Sequence, residues 1–277
     1  MNQQMKNEPS SDRILLAHGS GGELSHELVA SLFVKTFDNP ILHPLDDSAV
    51  ISVAGARWAF TTDSYVVTPI FFPGGDIGKL AVCGTVNDLS MSGAQPLFLS
   101  SGFIIEEGFP FSDLERIVSS MQKTASEAGV KIATGDTKVV NRGGADGIFI
   151  NTAGIGLIPL GIMISGSNAR PGDQVLLSGT IGDHGVAILS AREGLQFSTA
   201  LESDCAPLNG LVAKMIAVSP EIRCLRDPTR GGHSISRAGP GRQPAAWLPP
   251  IPARTRTRRA GAPKTRRHPG FRCAPSS

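Results

Sequence analysis

Residues 79–105, KLAVCGTVNDLSMSGAQPLFLSSGFII, change their hydrophobic period halfway along. Leu80, Cys83, Val86 and Leu89 recur on one side of a helix, which predicts helix over Lys79–Met91. Pro96 closes that unit, and the apolar run Leu97–Ile105 predicts a strand. Downstream, Ser112 and Glu115 have the spacing of a capping box, which opens a helix through Ile117, Val118, Met121 and Ala125 to Gly129. Val130–Thr134 is then a strand entering the loop Gly135-Asp136-Thr137-Lys138, and Ile148–Ile158 is the last strand of this half. Upstream, Leu24, Leu28, Val29, Leu32 and Phe33 give a helix over Glu23–Phe37 an apolar face. Asp47–Val53 and Trp58–Thr62 read as strands.

A second unit begins near Asn168. Pro171-Gly172-Asp173 is a turn signal before a strand Gln174–Leu177, and Gly182-Asp183-His184-Gly185 leads into a helix through Ala191. Leu208–Val218 is helical, and Asp227-Pro228-Thr229-Arg230-Gly231-Gly232 is a loop. Strands and helices alternate irregularly, which predicts an α+β protein rather than a repeated βαβ array.

Charge divides the chain. The 277 residues sum to +2, but residues 1–232 carry −8 and residues 233–277 carry +10. Those last 45 residues also hold 8 of the 20 prolines, so they form a basic tail of a different composition. The polar start MNQQMKNEPSSDR lacks the apolar core of a secretory signal, and Cys83, Cys205, Cys224 and Cys273 form no C-x-x-C pair. A reducing, cytoplasmic setting is therefore expected. Residues 147–169 are uncharged, but Asn151, Pro159, Asn168 and five glycines interrupt them, so a buried strand with its connector is expected and no membrane span. The sequence GGDIGK at 74–79 fails the spacing of a phosphate-binding P-loop, and Leu80 replaces its hydroxyl residue.

Carboxylates at strand ends and beside glycines carry the chemistry. Asp47, Asp63, Asp88, Asp136 and Asp227 all stand in such contexts. Magnesium takes hard oxygen ligands, one or two from protein and the rest from phosphate and water, so convergence of these groups on a triphosphate is expected. Read singly, each is a cap or turn residue. His18-Gly19-Ser20-Gly21-Gly22 before a helix is either a phosphate cradle or a plain lead-in. Lys138 either offsets phosphate charge or pairs with Asp136 at the surface. His184 reads as a cap or packing residue rather than a base.

Seven motifs occur in order: HGSGG at 18–22, DDSAV at 46–50, TTDS at 61–64, NDLSMSGAQP at 87–96, GDTKVV at 135–140, GTIGDHG at 179–185 and DPTRGG at 227–232. Over about residues 13–232 the chain resembles the hydrogenase maturation protein HypE family. That family lies within the ATP-binding group related to aminoimidazole ribonucleotide synthetase and selenophosphate synthetase. The resemblance implies a two-domain α+β fold: residues 13–160 as the ATP-binding domain and 161–232 as a truncated second domain, between a flexible 1–12 and the tail 233–277. It implies ATP-dependent dehydration of an S-carbamoyl cysteine to a thiocyanate, which supplies cyanide to nickel–iron hydrogenase. ATP binding is implied for His18, Gly19, Ser20, Gly21, Gly22, Asp63, Asn87, Asp88, Gly135 and Thr137, and Mg²⁺ for Asp47, Asp63, Asp88, Asp136 and Asp227. Lys138 and Asp136 are implied in catalysis. The implied partners are a second copy, the carbamoyltransferase HypF and the HypC–HypD complex.

After Gly232 the resemblance stops. The family ends in a terminal cysteine, whereas Cys273 lies four residues before Ser277 among unmatched neighbours. The Arg/Pro-rich tail reads as an out-of-frame product, with nucleic-acid binding the lesser reading, and loss of the terminal cysteine is expected to impair the reaction. Competing functions are a non-catalytic nucleotide-binding module and a selenophosphate synthetase-like enzyme. The latter expects a reactive cysteine near residues 18–22, and none precedes Cys83.

Overall fold

A computed structural model of the chain describes residues 13–194 and 201–227. The polar N-terminus, residues 228–232 of the DPTRGG motif and the whole basic tail, including Cys273, lie outside the described residues.

A helical turn at Leu16–Gly19 precedes α1 (Glu23–Leu28), a π-helical stretch (Val29–Val34) and α2 (Lys35–Phe37). Then come β1 (Ala49–Val53), β2 (Ala56–Tyr65), the short β3 (Phe71–Phe72) and β4 (Gly75–Asp76), α3 (Ile77–Met91) and β5 (Gln95–Glu106). They are followed by α4 (Phe111–Ala128), β6 (Lys131–Val140), β7 (Ile148–Ile158), α5 (Asp183–Glu193) and α6 (Asn209–Val218). Five strands form one sheet in the order β1-β2-β7-β5-β6, antiparallel except for the β5–β6 pair, which α4 connects. The mixture of one largely antiparallel sheet and separate helices is α+β, as the sequence predicts.

One face of the sheet is the core. Ile77, Val82, Val86 and Leu89 of α3 and Ile117 and Met121 of α4 are buried against Ala59, Leu99, Ile148 and Ile150 of the strands. Asp76 caps α3 by accepting hydrogen bonds from Gly78 N at 2.7 Å and Lys79 N at 3.0 Å. The other face remains open: Phe60, Phe98, Ile104, Ile155 and Leu157 are 37–44% exposed. Phe60 and Phe98 both stand opposite Ile155 in the register, so these side chains form a continuous apolar row.

β7 occupies the bounds read from the sequence, and no described helix is long and apolar enough to cross a membrane. Four expectations need correction. Ser112 and Glu115 form no capping box; α4 starts at Phe111 behind Pro110, whose ring fixes the first turn and supplies no cap hydrogen bond. Gln174–Leu177 forms no strand, and Val175, Leu176 and Leu177 stand exposed, with no pairing strand among the described residues. The apolar stripe of residues 23–37 is not buried: Leu24, Leu32 and Phe33 are exposed, because this segment packs mainly on its own turns. Finally, β6 continues through Gly135-Asp136-Thr137-Lys138 to Val140, since each of these residues pairs in parallel with β5. Gly135 suits that pairing, for a Cβ there would collide with the Ser101 carbonyl oxygen.

Leu89 is fully buried beneath the sheet. Leu89→Ala should destabilise the chain by about 3 kcal/mol, read as a lower urea midpoint at unchanged slope; a loss under about 0.5 kcal/mol would contradict this packing.

Candidate nucleotide and metal site

The middle of β2 and the C-terminal part of α3 meet through Thr61. Its Oγ1 lies 3.1 Å from Asp88 Oδ2 and 3.0 Å from the main-chain oxygen of Asp47, and its single proton serves one acceptor at a time. Asp47 stands just before β1. Asp227 reaches it from the C-terminal segment, and Asp63 adds a further negative charge near Asp88. The two-residue period of β2 puts Ala59, Thr61 and Asp63 on one face, which is why the TTDS motif delivers both a hydroxyl and a carboxylate to the α3 side.

Arg226 stands 3.6 Å from Asp46 Oδ1 and 3.4 Å from Asp47 Oδ1. Asp46 also accepts from Ser165 Oγ at 2.6 Å and Gly166 N at 2.9 Å, so it fastens the approach to β1 to the segment that follows β7. Asp47 Oδ2 is buried and has no hydrogen-bond partner. A bond between Asp47 and Asp227 forms only with a proton between the two carboxyls.

These carboxylates resist ionisation. Burial, then repulsion from Asp227, pushes Asp47 up to about 7 despite the opposing pull of Arg226. Burial, then repulsion from Asp227, Asp47 and Asp63, pushes Asp88 up to about 9. Among the described residues, no three acidic, histidine or cysteine side chains form a ready-made metal cage. The arrangement fits an ion that draws one or two carboxylates from protein and its other oxygens from phosphate and water. Asp47, Asp88 and Asp227 are the groups that would hold it.

The five aspartates therefore do not all converge. Because residues 135–138 lie in a strand, Gly135 and Thr137 share the α3 side with Asp63, whereas Asp136 and Lys138 emerge on the open face. There Asp136 Oδ2 and Lys138 Nζ pair at 3.2 Å, 69% and 70% exposed. The Lys138 hydrogen bond holds the Asp136 carboxyl below the usual range, opposite in direction to Asp47 and Asp88.

Asn87 is committed to the backbone of residues 206–208, donating to Ala206 O at 3.1 Å and accepting from Leu208 N at 2.7 Å. His18, Gly19, Ser20, Gly21 and Gly22 form a turn stitched by Ser25, whose Oγ accepts from Gly21 N at 2.9 Å and donates to His18 O at 2.7 Å. His184 Nδ1 meets Ser203 Oγ at 2.9 Å, which agrees with a packing role.

The sequence reading missed Thr61, Arg226 and Asp46. A hydroxyl two residues before Asp63 on a strand, and an arginine next to Asp227, are the signals that point to the first two.

Known proteins match this chain in the same regions. The profile described as AIR synthase related protein, N-terminal domain, matches residues 45–158, and its C-terminal domain counterpart matches residues 170–236. The carbamoyl dehydratase HypE of Cupriavidus necator is 58% identical over 223 residues, which is 80% of this chain and 64% of that protein. A crystal structure of a HypE–HypF complex aligns with a TM-score of 0.72 at 58% identity, covering 76% of this chain and 68% of that one. This chain belongs to the HypE family. A HypE structure in complex with ATP aligns with a TM-score of 0.64 at 56% identity, covering 81% of this chain and 67% of that one. The chain thus spans somewhat under two thirds of the length of the curated HypE proteins it matches most strongly. The family's aminoimidazole ribonucleotide synthetase-like α+β fold agrees with the sheet and helices described above.

Raised carboxyls bind protons in the folded state that the unfolded chain has already released. Their stabilising contribution is full below the ordinary range near 4 and is lost as the pH climbs through about 7 and about 9. Magnesium should offset that loss. The gain in melting temperature from millimolar Mg²⁺ with nucleotide is expected to grow steadily between about pH 6 and pH 9. A gain independent of pH would argue that these carboxyls do not hold the ion.

Proposed function

We propose that this chain binds ATP with Mg²⁺ at the Asp47–Asp88–Asp227 pocket, and that the reaction served is the ATP-dependent dehydration of an S-carbamoyl cysteine to a thiocyanate for nickel–iron hydrogenase maturation. The observation that carries the reading is the group of half-buried, mutually repelling carboxylates with a buried, unpartnered oxygen on Asp47. Such a group is costly unless a cation is held against it. The family relationship supplies the rest.

The chemistry explains why nucleotide is needed. An amide oxygen is a poor leaving group, and phosphorylation converts it to a good one. Bound Mg²⁺ would neutralise phosphate charge as it shifts between the transferring and leaving oxygens. Asp47 and Asp88 supply the negative charge that retains the ion, and Thr61 fixes the Asp88 carboxylate. Arg226 limits repulsion by spanning Asp46 and Asp47. Gly135 and Thr137, on the α3 side of β6, are proposed nucleotide contacts, as are Asp63, Asn87 and residues 18–22.

Lys138 and Asp136 keep their proposed catalytic role through a second copy of the chain. They lie on the open sheet face, beside its apolar row, so a homodimer formed over that face would enclose them. HypF and the HypC–HypD complex are proposed partners, in the cytoplasm, and the solved complex of a homologous HypE with HypF supports the first. The carbamoyl-acceptor role is not assigned to Cys273. The proposal is that this chain keeps nucleotide binding while thiocyanate formation is impaired.

Calorimetric titration tests the pocket. Asp88→Asn should weaken Mg·ATP binding about tenfold or more, as expected for loss of a charged ligand. Unchanged affinity in Asp88→Asn and Asp47→Asn would reject the site. Sedimentation tests the face: Phe98→Asp should shift a dimer to monomer with little change in melting temperature, whereas a chain already monomeric at micromolar concentration would rule out this mode of pairing. Mass spectrometry after incubation with ATP and the carbamoyl donor system should find no thiocyanate on Cys273; its appearance there overturns the impairment.

A further inference from the structure

A second face of α3 lies beside the one that carries Asp88. Lys79, Cys83 and Asn87 recur along it at four-residue spacing. Residues 201–208 are pinned over this face. Ser203 N donates to Pro73 O at 2.9 Å just ahead of α3, and Ser203 Oγ accepts from Cys205 N at 3.2 Å. Asn87 holds the backbone on both sides of Pro207, through Ala206 O at 3.1 Å and Leu208 N at 2.7 Å. Between these fastenings Cys205 is held beside the face of α3 that carries Cys83, so the two thiols are neighbours that influence each other. Both are free thiols, Cys83 buried and Cys205 half-buried.

We propose that Cys83 and Cys205 form a reversible disulfide site whose oxidant is a low-molecular-weight disulfide. The pair is not symmetrical. Interaction with Cys83, together with the Lys79 ammonium, favours the Cys205 thiolate against the opposing effects of burial and of Asp204 and Asp76. Interaction with Cys205, burial and Glu127 push the Cys83 thiol up and favour its protonated form, with Lys79 pulling the other way. Thiol–disulfide exchange runs from the thiolate that solvent can reach. The Cys205 thiolate attacks one sulfur of the small disulfide, forming a mixed disulfide and releasing one small thiolate. That thiolate takes the Cys83 proton, and Cys83 then attacks Cys205 Sγ and expels the second small thiolate. One Sγ–Sγ bond forms and one small disulfide is cleaved, so two electrons pass from the protein pair to the oxidant.

The closed bond would lock residues 201–208 to the helix that carries Asp88. It does not depend on nucleotide binding, and its test uses no nucleotide. The reduced full-length chain is incubated with oxidised glutathione, blocked with an alkylating agent, digested without reductant and read by mass spectrometry. The expected product is a peptide pair joined through Cys83 and Cys205, reversed by dithiothreitol, with Cys205 alkylated several-fold faster than Cys224 in the reduced chain. Cys83→Ser should instead trap a stable glutathione adduct on Cys205, whereas Cys205→Ser should leave Cys83 unmodified. Recovery of both cysteines fully alkylated after oxidation, or linkage of Cys205 to Cys224 or Cys273, overturns the proposal; the wild-type measurement stands whether or not either variant folds.

Discussion

The hydroxyl of Thr61 is the joint between sheet and helix on which the site depends. It touches both the Asp88 carboxylate and the backbone of Asp47, so β2, α3 and the approach to β1 share one oxygen. Around that joint the protein accepts an unfavourable arrangement: acidic groups facing one another where water is scarce. Charges in such a place stay protonated or gather a counter-ion. Arg226 is a partial answer, since it reaches Asp46 and Asp47 but not the unpartnered Asp47 Oδ2. The fold holds these groups together all the same, because α3 is anchored from below by Ile77, Val86 and Leu89 and capped by Asp76.

Much of this was legible in the sequence where periodicity was strong. β7 alternates between core and open face along its whole length, and its apolar run defined it unaided. α3 showed its buried side through Cys83, Val86 and Leu89. The sequence was misleading where a partner decides the conformation. Gly135-Asp136-Thr137-Lys138 has the composition of a turn, yet β5 supplies a complete parallel ladder and draws it into a strand. That one difference moves Asp136 and Lys138 to the other side of the sheet. Conversely Val175–Leu177 has strand composition and no ladder to join. Ser112 and Glu115 had the right spacing for a capping box, but Pro110 had already set the start of the helix.

The site was half visible for the same reason. Aspartates beside glycines announced an acidic, phosphate-related chemistry, and Asp47, Asp88 and Asp227 do lie together. What spacing cannot reveal is the facing of each side chain. Thr61 and Asp63 share a face because they are two apart on a strand, and Gly135 and Asp136 part company because they are one apart. The fastening of residues 206–208 by Asn87 spans about 120 residues of sequence and had no local signature.

β6 gives the sheet an awkward boundary. It is the terminal strand among the described residues, and nearly every residue in it is exposed. Its outer rim presents backbone donors and acceptors that another strand can match, a liability that proteins commonly blunt with charge. Lys131, Asp136 and Lys138 are spaced along this strand. These charges on the edge strand would therefore act as gatekeepers, discouraging indiscriminate edge-to-edge growth, and neutralising them would be expected to cost solubility before it cost stability.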